Sequence, residues 1–432
     1  MQKKVLVIGG GLAGLSSAAY LSKNNFKVKL LESSPKLGGR TYSFLDKETN
    51  TILDNGQHIL MGCYSETLNF ISLIGAVKNF DIQKSLSVNF VKEGYNIFKL
   101  KSLPFFYPFN LLVAALNYKA VNFIERLRLI KVFFKLPFYS DKQLSSMNIR
   151  EWLEKENQSS SVQSAFWKIL AVGALNTSLE KASAKIFVDI LRQIFLNGKN
   201  SSAIILPKFG LSETFCKDAE DFIKNNSGEI HLSETVSKLI INEDSVTEIH
   251  TSNKIYKDFD FVVSAIPAFA FSRILDDKDQ INIPEFIYST ILNIHLWLKD
   301  NSFPKGFFGL INSPLHWVFN KGTHLNIVIS DAEEHAGKSD EELIEMCKVE
   351  MKKFFLLKPE TISNHKIIKE KRATFIPSND ILDIRPEQKT KIKNLVIAGD
   401  WVDTGLPSSI ESAVKSGRVA AIFSLQNNLR WH

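Results

Sequence analysis

Gly9, Gly11 and Gly14 stand as Gly-x-Gly-x-x-Gly at the start of this 432-residue chain, and Glu32 follows 18 residues after the last of them. The glycines come directly after the apolar run Val5-Leu6-Val7-Ile8 and open a stretch in which Leu12, Leu15, Ala18, Ala19 and Ser22 recur with helical period. A strand, a tight glycine turn and a helix with free N-terminal amides can cradle a pyrophosphate, and an acid at the end of the next strand can accept from ribose hydroxyls. Gly9 permits the turn, Gly11 leaves room for phosphate, and Gly14 lets helix and strand pack closely. Gly9, Gly11, Ala13, Gly14 and Glu32 are therefore predicted to bind a dinucleotide.

The fingerprint alone does not separate NAD from FAD. Gly38-Gly39-Arg40 argues for flavin: two glycines bring backbone close to the cofactor, and the Arg40 fork offers several donors to phosphate oxygens. At the far end of the chain, Leu395 to Ala398 reads as a strand that runs into Gly399-Asp400-Trp401, then Thr404-Gly405-Leu406-Pro407 and a helix. Asp400 thus falls at the carboxyl end of a strand, where open α/β sheets bind ligands. No second Gly-x-Gly-x-x-Gly occurs, so no dedicated NAD(P)H domain is predicted and electrons must come from, or go to, an external partner.

Together these residues resemble the flavin-containing amine oxidase and carotenoid desaturase superfamily over essentially the whole chain. The resemblance implies that Asp400 binds the ribityl or pyrophosphate part of FAD, that the amide near Ile410 contacts the flavin pyrimidine, and that Val236 makes a backbone contact to adenine. Ser408-x-x-Glu411 reads as a capping box, which gives Glu411 a helix-capping role. More narrowly, Asp54-Asn55-Gly56-Gln57-His58 with Gly62 and Tyr64, Arg372-Ala373-Thr374-Phe375 and Arg385-Pro386 are similar to the signature of the hydroxysqualene dehydroxylase (squalene-associated FAD-dependent desaturase) family. That resemblance implies reductive removal of hydroxyl from a C30 isoprenoid, hydroxysqualene, giving squalene in a bacterial route to hopanoids or related triterpenes. It also places Gln57 beside the cofactor.

Loss of hydroxide from an allylic alcohol needs a proton donor. His58, or Asp54 with its pKa raised by burial, is the candidate, and a hydrogen-bonding role for His58 beside the flavin fits the sequence equally well. Arg385 suits either a loop brace or a cofactor contact. The 32 Phe would suit an apolar ligand, and aromatic faces stabilise a cation. Two rivals remain open: a carotenoid-type desaturase running hydride transfer in the opposite direction, and a non-catalytic isoprenoid carrier, against which Gly38-Gly39-Arg40 and Gly399-Asp400 speak. Ser409 stands just before Ile410 in place of the cage tyrosine of amine oxidases.

The elements that must position these groups alternate. Strands are expected at 5–8, 27–31, 229–232, 237–241, 259–266, 291–298, 325–329 and 395–398; helices are expected at 109–138 and on to about 197, at 211–225, 340–355 and 408–425. The reading is an α/β protein: a Rossmann-like FAD-binding domain assembled from 1–80, 206–266 and 376–432, with a discontinuous α+β substrate domain from 81–205 and 267–375.

Composition bounds the rest. With 44% hydrophobic and 23% charged residues, collagen-like, disordered and disulfide-scaffold classes are excluded. Cys63, Cys216 and Cys347 show no paired spacing, which argues against a zinc site or a secreted disulfide framework. Lys3-Lys4 before an apolar stretch superficially matches a secretory signal, but the glycines interrupt it. The uncharged run from Ser102 to Tyr118 contains Pro104 and Pro108 and is shorter than the roughly 20 residues needed to cross a bilayer. A cytoplasmic protein is expected, peripheral at the membrane if segment 103–139, with Phe105, Phe106, Phe109, Arg126, Arg128, Lys131 and Lys135, lies in the interface; a buried substrate tunnel is the other reading of that segment. The net charge of +7 comes with no nucleic-acid-binding motif.

Overall fold

The computed structural model describes residues 2–103, 107, 109–275, 281–300 and 303–429. Phe105 and Phe106 of the candidate membrane segment lie outside the described residues. A parallel five-stranded sheet has the spatial order Glu229–His231, Lys27–Leu31, Lys4–Ile8, Phe261–Ser264, Leu395–Ile397. Every neighbouring pair is parallel. Val5, Val7, Val28, Val262, Val263 and Ile397 are buried because both faces of the sheet are covered, as a parallel sheet requires. The helices Leu12–Lys23 and Ile410–Leu429 pack against each other on one side. Their contact is close enough that a β-carbon on Gly417 would sit 2.1 Å from the Ala13 carbonyl oxygen.

A second sheet has seven strands, in the order Ile362–Phe375, Tyr288–Leu298, Leu325–Ile329, Trp317–Asn320, Gly306–Leu310, Ser87–Lys92, Asn96–Lys101. It is antiparallel except where Gly306–Leu310 meets Ser87–Lys92. The 14-residue strand Ile362–Phe375 is absent from the sequence expectation. It is an edge strand, and Lys366, Lys369, Lys371 and Arg372 along it blur the alternation while protecting the open edge from pairing with another chain. Packed against this second sheet, helices from Phe109–Leu116 to Ala184–Leu196 enclose an aromatic core around Trp152, Trp167 and Phe187. The long helix expected at 109–138 is two helices: Asn122 accepts from the Glu125 amide, Glu125 reaches back to the Asn122 amide, and this capping box starts Phe123–Lys135 afresh.

Candidate functional site

The glycine turn ends the first strand of the parallel sheet. Gly9 has φ +101°, which only a residue without a side chain adopts easily, and a β-carbon on Gly14 would meet the Gly9 carbonyl oxygen at 1.9 Å. Gly11 caps Leu12–Lys23 with no side-chain acceptor, and no acidic residue stands in the first turn, so the helix amides remain for an anionic ligand. The second glycine pair packs directly on the first. Gly38 donates its amide to the Gly10 carbonyl at 2.8 Å, and a β-carbon on Gly39 would lie 3.2 Å from Gly11 Cα.

Glu32 is nearly buried at the end of the second strand. Its carboxylate accepts from the Gly10 amide at 2.5 Å and from the Ser34 amide at 2.7 Å, which orders the turn and leaves the acid on the wall of the main cavity. Arg40 reaches across the site: Nη1 donates to the Ala373 carbonyl at 2.8 Å and Nη2 to Asp400 Oδ1 at 2.5 Å. Burial would raise the Asp400 pKa, but the Arg40 charge and hydrogen bonds from Arg40 and Ser408 outweigh it and hold the carboxyl below its ordinary value. Two of the Arg40 donors are thus spent on protein acceptors rather than held free for phosphate.

Arg385 resolves as a brace. Buried beneath the loop after Leu395–Ile397, it donates to the carbonyls of Leu406 at 2.7 Å, Asp400 at 3.0 Å and Trp401 at 3.3 Å, and also to Val402. Burial lowers its pKa to about 10, which still leaves it charged. The carbonyls it gathers set the path of Asp400 to Leu406 over the N-terminus of Ile410–Leu429. Ile410 lines the cavity there.

The capping assignment at 408–411 needs correction. Ser409, not Ser408, accepts from the Ser412 amide, while the Ser408 hydroxyl donates to Asp400. Glu411 caps a different helix: its carboxylate accepts from the amides of Glu66 at 2.9 Å and Thr67 at 2.8 Å, at the start of Ser65–Leu73. A helix N-terminus attracts a carboxylate from any direction, and the partner here is 344 residues away.

Asp54 is corrected as well. It is not among the described residues that line the cavity. Its carboxylate accepts from the Leu211 amide at 2.9 Å and the Ser43 hydroxyl at 2.7 Å, with Lys321 Nζ at 3.6 Å. These contacts tie the Ser43–Asp46 and Thr51–Asp54 hairpin to the chain at 211, so the acid is occupied as an anchor. Gln57 and His58 do line the cavity, with Gln57 Oε1 accepting from Lys321 at 3.2 Å. Burial lowers the His58 pKa to about 4, against the pull of Asp54, so its imidazole is neutral and its Nε2 has no protein partner. Val236 begins a three-stranded meander and pairs with Thr251; it too is absent from the described cavity wall, although Glu234, two residues earlier, donates its amide to the Glu32 carbonyl.

One cavity of about 1150 Å³ joins Glu32, Arg40, Gln57, His58, Asp400 and Ile410 to a set the sequence did not single out. Phe90, Phe166, Phe307, Trp317 and Phe319 line its other end, drawn from the second sheet and the helices. Phe307 and Phe319 stack with centroids 5.6 Å apart. Gly417 was also missed, although an isolated glycine inside a helical pattern is a signal of close packing. The volume exceeds the usual range for one small ligand, roughly 300–1,000 Å³.

The uncapped helix amides, the glycine floor and the Asp400 end fit a flavin dinucleotide, so fold and site define an FAD-dependent oxidoreductase. The flavin-containing amine oxidoreductase family model matches residues 12–422, and the chain belongs to that family. It is 27% identical to the hydroxysqualene dehydroxylase of Zymomonas mobilis, over 98% of this chain and 99% of that one. A 15-cis-phytoene desaturase of Glycine max is 24% identical over 98% of this chain and 80% of its own length. Among solved structures, an oxidoreductase from Methanosarcina mazei superposes with a TM-score of 0.73 at 17% identity, covering 96% of this chain and 99% of that one.

Proposed function

We propose that this chain removes the hydroxyl group of hydroxysqualene reductively, giving squalene. What carries the reading is the single cavity with a polar dinucleotide end and an aromatic end; the relatives named hydroxysqualene dehydroxylase supply the substrate class. FAD held at the polar end would supply the hydride when reduced, and its reduction would need an external donor. The chain's own residues do the rest. Arg40 and Asp400 order the cofactor end, and the N-termini of Leu12–Lys23 and Ile410–Leu429 favour negative charge there. Phe90, Phe166, Phe307, Trp317 and Phe319 exclude water and offer π faces to positive charge on the allylic carbon. His58 Nε2 is the polar atom of the catalytic candidates that remains free at the wall, and a proton held there would go to the departing oxygen.

The C30 substrate is practically insoluble, and we assign its entry to the helical region. A second, apolar pocket of about 310 Å³ shares Leu86, Leu100, Phe166 and Phe195 with the main cavity and is bordered by Phe109, Phe134 and Phe138, which are exposed. Exposed Arg128 and Lys131 stand on the same helix as Phe134, a pattern suited to an anionic membrane surface. Among the described residues no helix is long and apolar enough to cross a membrane.

A desaturase reading is favoured by the neutral His58, which accepts a proton more readily than it gives one, and by the phytoene desaturase relatives. Anaerobic mixing of the flavin-reduced protein with hydroxysqualene separates the two. Flavin reoxidation with stoichiometric squalene supports the dehydroxylase; bound flavin that stays reduced, with substrate delivery controlled, rejects it.

A further inference from the structure

One face of the Tyr288–Leu298 strand carries Asn293, His295 and Trp297, while Leu292, Ile294 and Leu296 fill the core on the other. On the neighbouring strand Asn326 pairs opposite His295, and His324 stands just before that strand. His295 is fully buried, and beyond an interaction with the Asp54 backbone its ring nitrogens have no hydrogen-bond partner among the described residues. Asn293 Oδ1, Asn326 Oδ1 and His58 Nε2 are likewise buried and unpartnered.

Two pairs of these groups lie close together. Asn293 Oδ1 and His58 Nε2 lie 4.0 and 3.9 Å from one point, the place a β-carbon on Gly56 would occupy. Asn293 Nδ2 donates to the Asn55 carbonyl at 3.1 Å, which fixes the side chain beside that point. The rings of His295 and His324 are 5.0 Å apart, and Trp297 stacks on His324 at 5.2 Å. Past His324 comes Lys321, partly exposed, which reaches Gln57 and Asp54. Burial holds both His58 and His324 neutral; the Lys321 charge adds to that at His324, and the Asp54 carboxylate opposes it at both rings. Burial first, and then the neighbouring His324, hold His295 neutral, and the Asp54 backbone opposes them.

Leucine or phenylalanine at 295 would satisfy this core without burying orphaned nitrogens, so packing does not account for the histidine. A water held between such polar atoms would bridge them, and imidazole both accepts and releases a proton. We propose that Asn293, His295 and His324 form a buried proton path from Lys321 at the surface to His58 at the cavity wall. Its use rests on the dehydroxylase reading: the C–O bond breaks, hydride from the reduced cofactor forms the new C–H bond, and one proton per turnover joins the leaving oxygen to make water. The three are positioning residues, since none touches the reacting carbon.

The test is solvent exchange of the His295 ring N–H, followed by NMR of isotope-labelled histidine in the oxidised holoprotein. Exchange in the wild type, slowed by roughly tenfold or more in His324→Phe and less in the polar variant His324→Gln, is the expected result. Unchanged exchange in folded His324→Phe overturns the path. Single-turnover reoxidation with hydroxysqualene is then compared in water and deuterium oxide; the path predicts a larger solvent isotope effect in His324→Phe than in wild type. Exchange that responds as expected, in a protein that hydroxysqualene fails to reoxidise, supports the path and rejects the dehydroxylase reading alone.

Discussion

Arg40 and Asp400, 360 residues apart in the chain, form an ion pair of 2.5 Å that closes the polar end of the cavity. The pair joins the loop after the second strand of the parallel sheet to the loop after the last. Asp400→Asn leaves Arg40 without its counter-charge while keeping the shape of the site. Because Arg40 is partly exposed, a loss of about 2 kcal/mol is expected rather than the full cost of breaking a buried pair. Urea denaturation measures it, and flavin absorbance after gel filtration reports the accompanying loss of FAD. The carboxyl is held below its ordinary pKa, so this contribution is present at neutral pH and is lost as pH falls through and below the usual carboxylate range.

Gly417→Ala places a methyl group 2.1 Å from the Ala13 carbonyl, backbone that cannot move without shifting the first helix. The helix propensity of alanine would by itself stabilise by roughly 1 kcal/mol. Overpacking wins, and a net destabilisation of about 1–3 kcal/mol is predicted, with weaker FAD retention. A thermal midpoint equal to or above the wild type would mean that the two helices are not in this close contact.

Four histidines set an acid limit. Burial lowers His58, His316 and His324 to about 4 and His295 to about 3. Unfolded, each titrates near 6.5, so between these values the unfolded chain binds more protons and stability rises with pH. Their contribution is complete above about pH 6.5 and is lost on acidification toward about pH 4, at up to about 1.4 kcal/mol per pH unit for each ring. Melting temperatures taken across this window should fall steeply toward acid, and His295→Phe should flatten the profile by one proton. A flat wild-type profile would contradict burial of the neutral rings.

Exposed Phe134 and Phe138 border the apolar pocket, so Phe134→Ser with Phe138→Ser should weaken binding to vesicles containing anionic lipid by about tenfold or more. Cosedimentation measures this. Flavin content should be unchanged, since neither residue lines the main cavity. Equal binding by variant and wild type would place the membrane contact elsewhere.

The glycine turn at the end of the first strand was legible because its information is local. Gly9, Gly11 and Gly14 act within one strand, turn and helix, and the reach of Glu32, Gly38 and Gly39 follows from a single further strand. Backbone sterics and the helix N-terminus work at that range wherever such a unit is placed. Asp400 at a strand end could be read in the same way, as could the strands of the parallel sheet, whose buried apolar runs need no partner to be recognised. The edge strand Ile362–Phe375 could not, because its charged residues answer to the solvent at a sheet edge that exists only once the sheet is assembled. Nor could the helix that Glu411 caps, the anchoring of Asp54 by Leu211, the bracing role of Arg385, or the approach of His58 to Asn293 beside Gly56 and of His295 to His324. Each depends on which distant segments share a buried space. A carboxylate or an imidazole carries the same chemistry in any sequence; burial and neighbours, supplied by tertiary packing, decide which of its roles it takes.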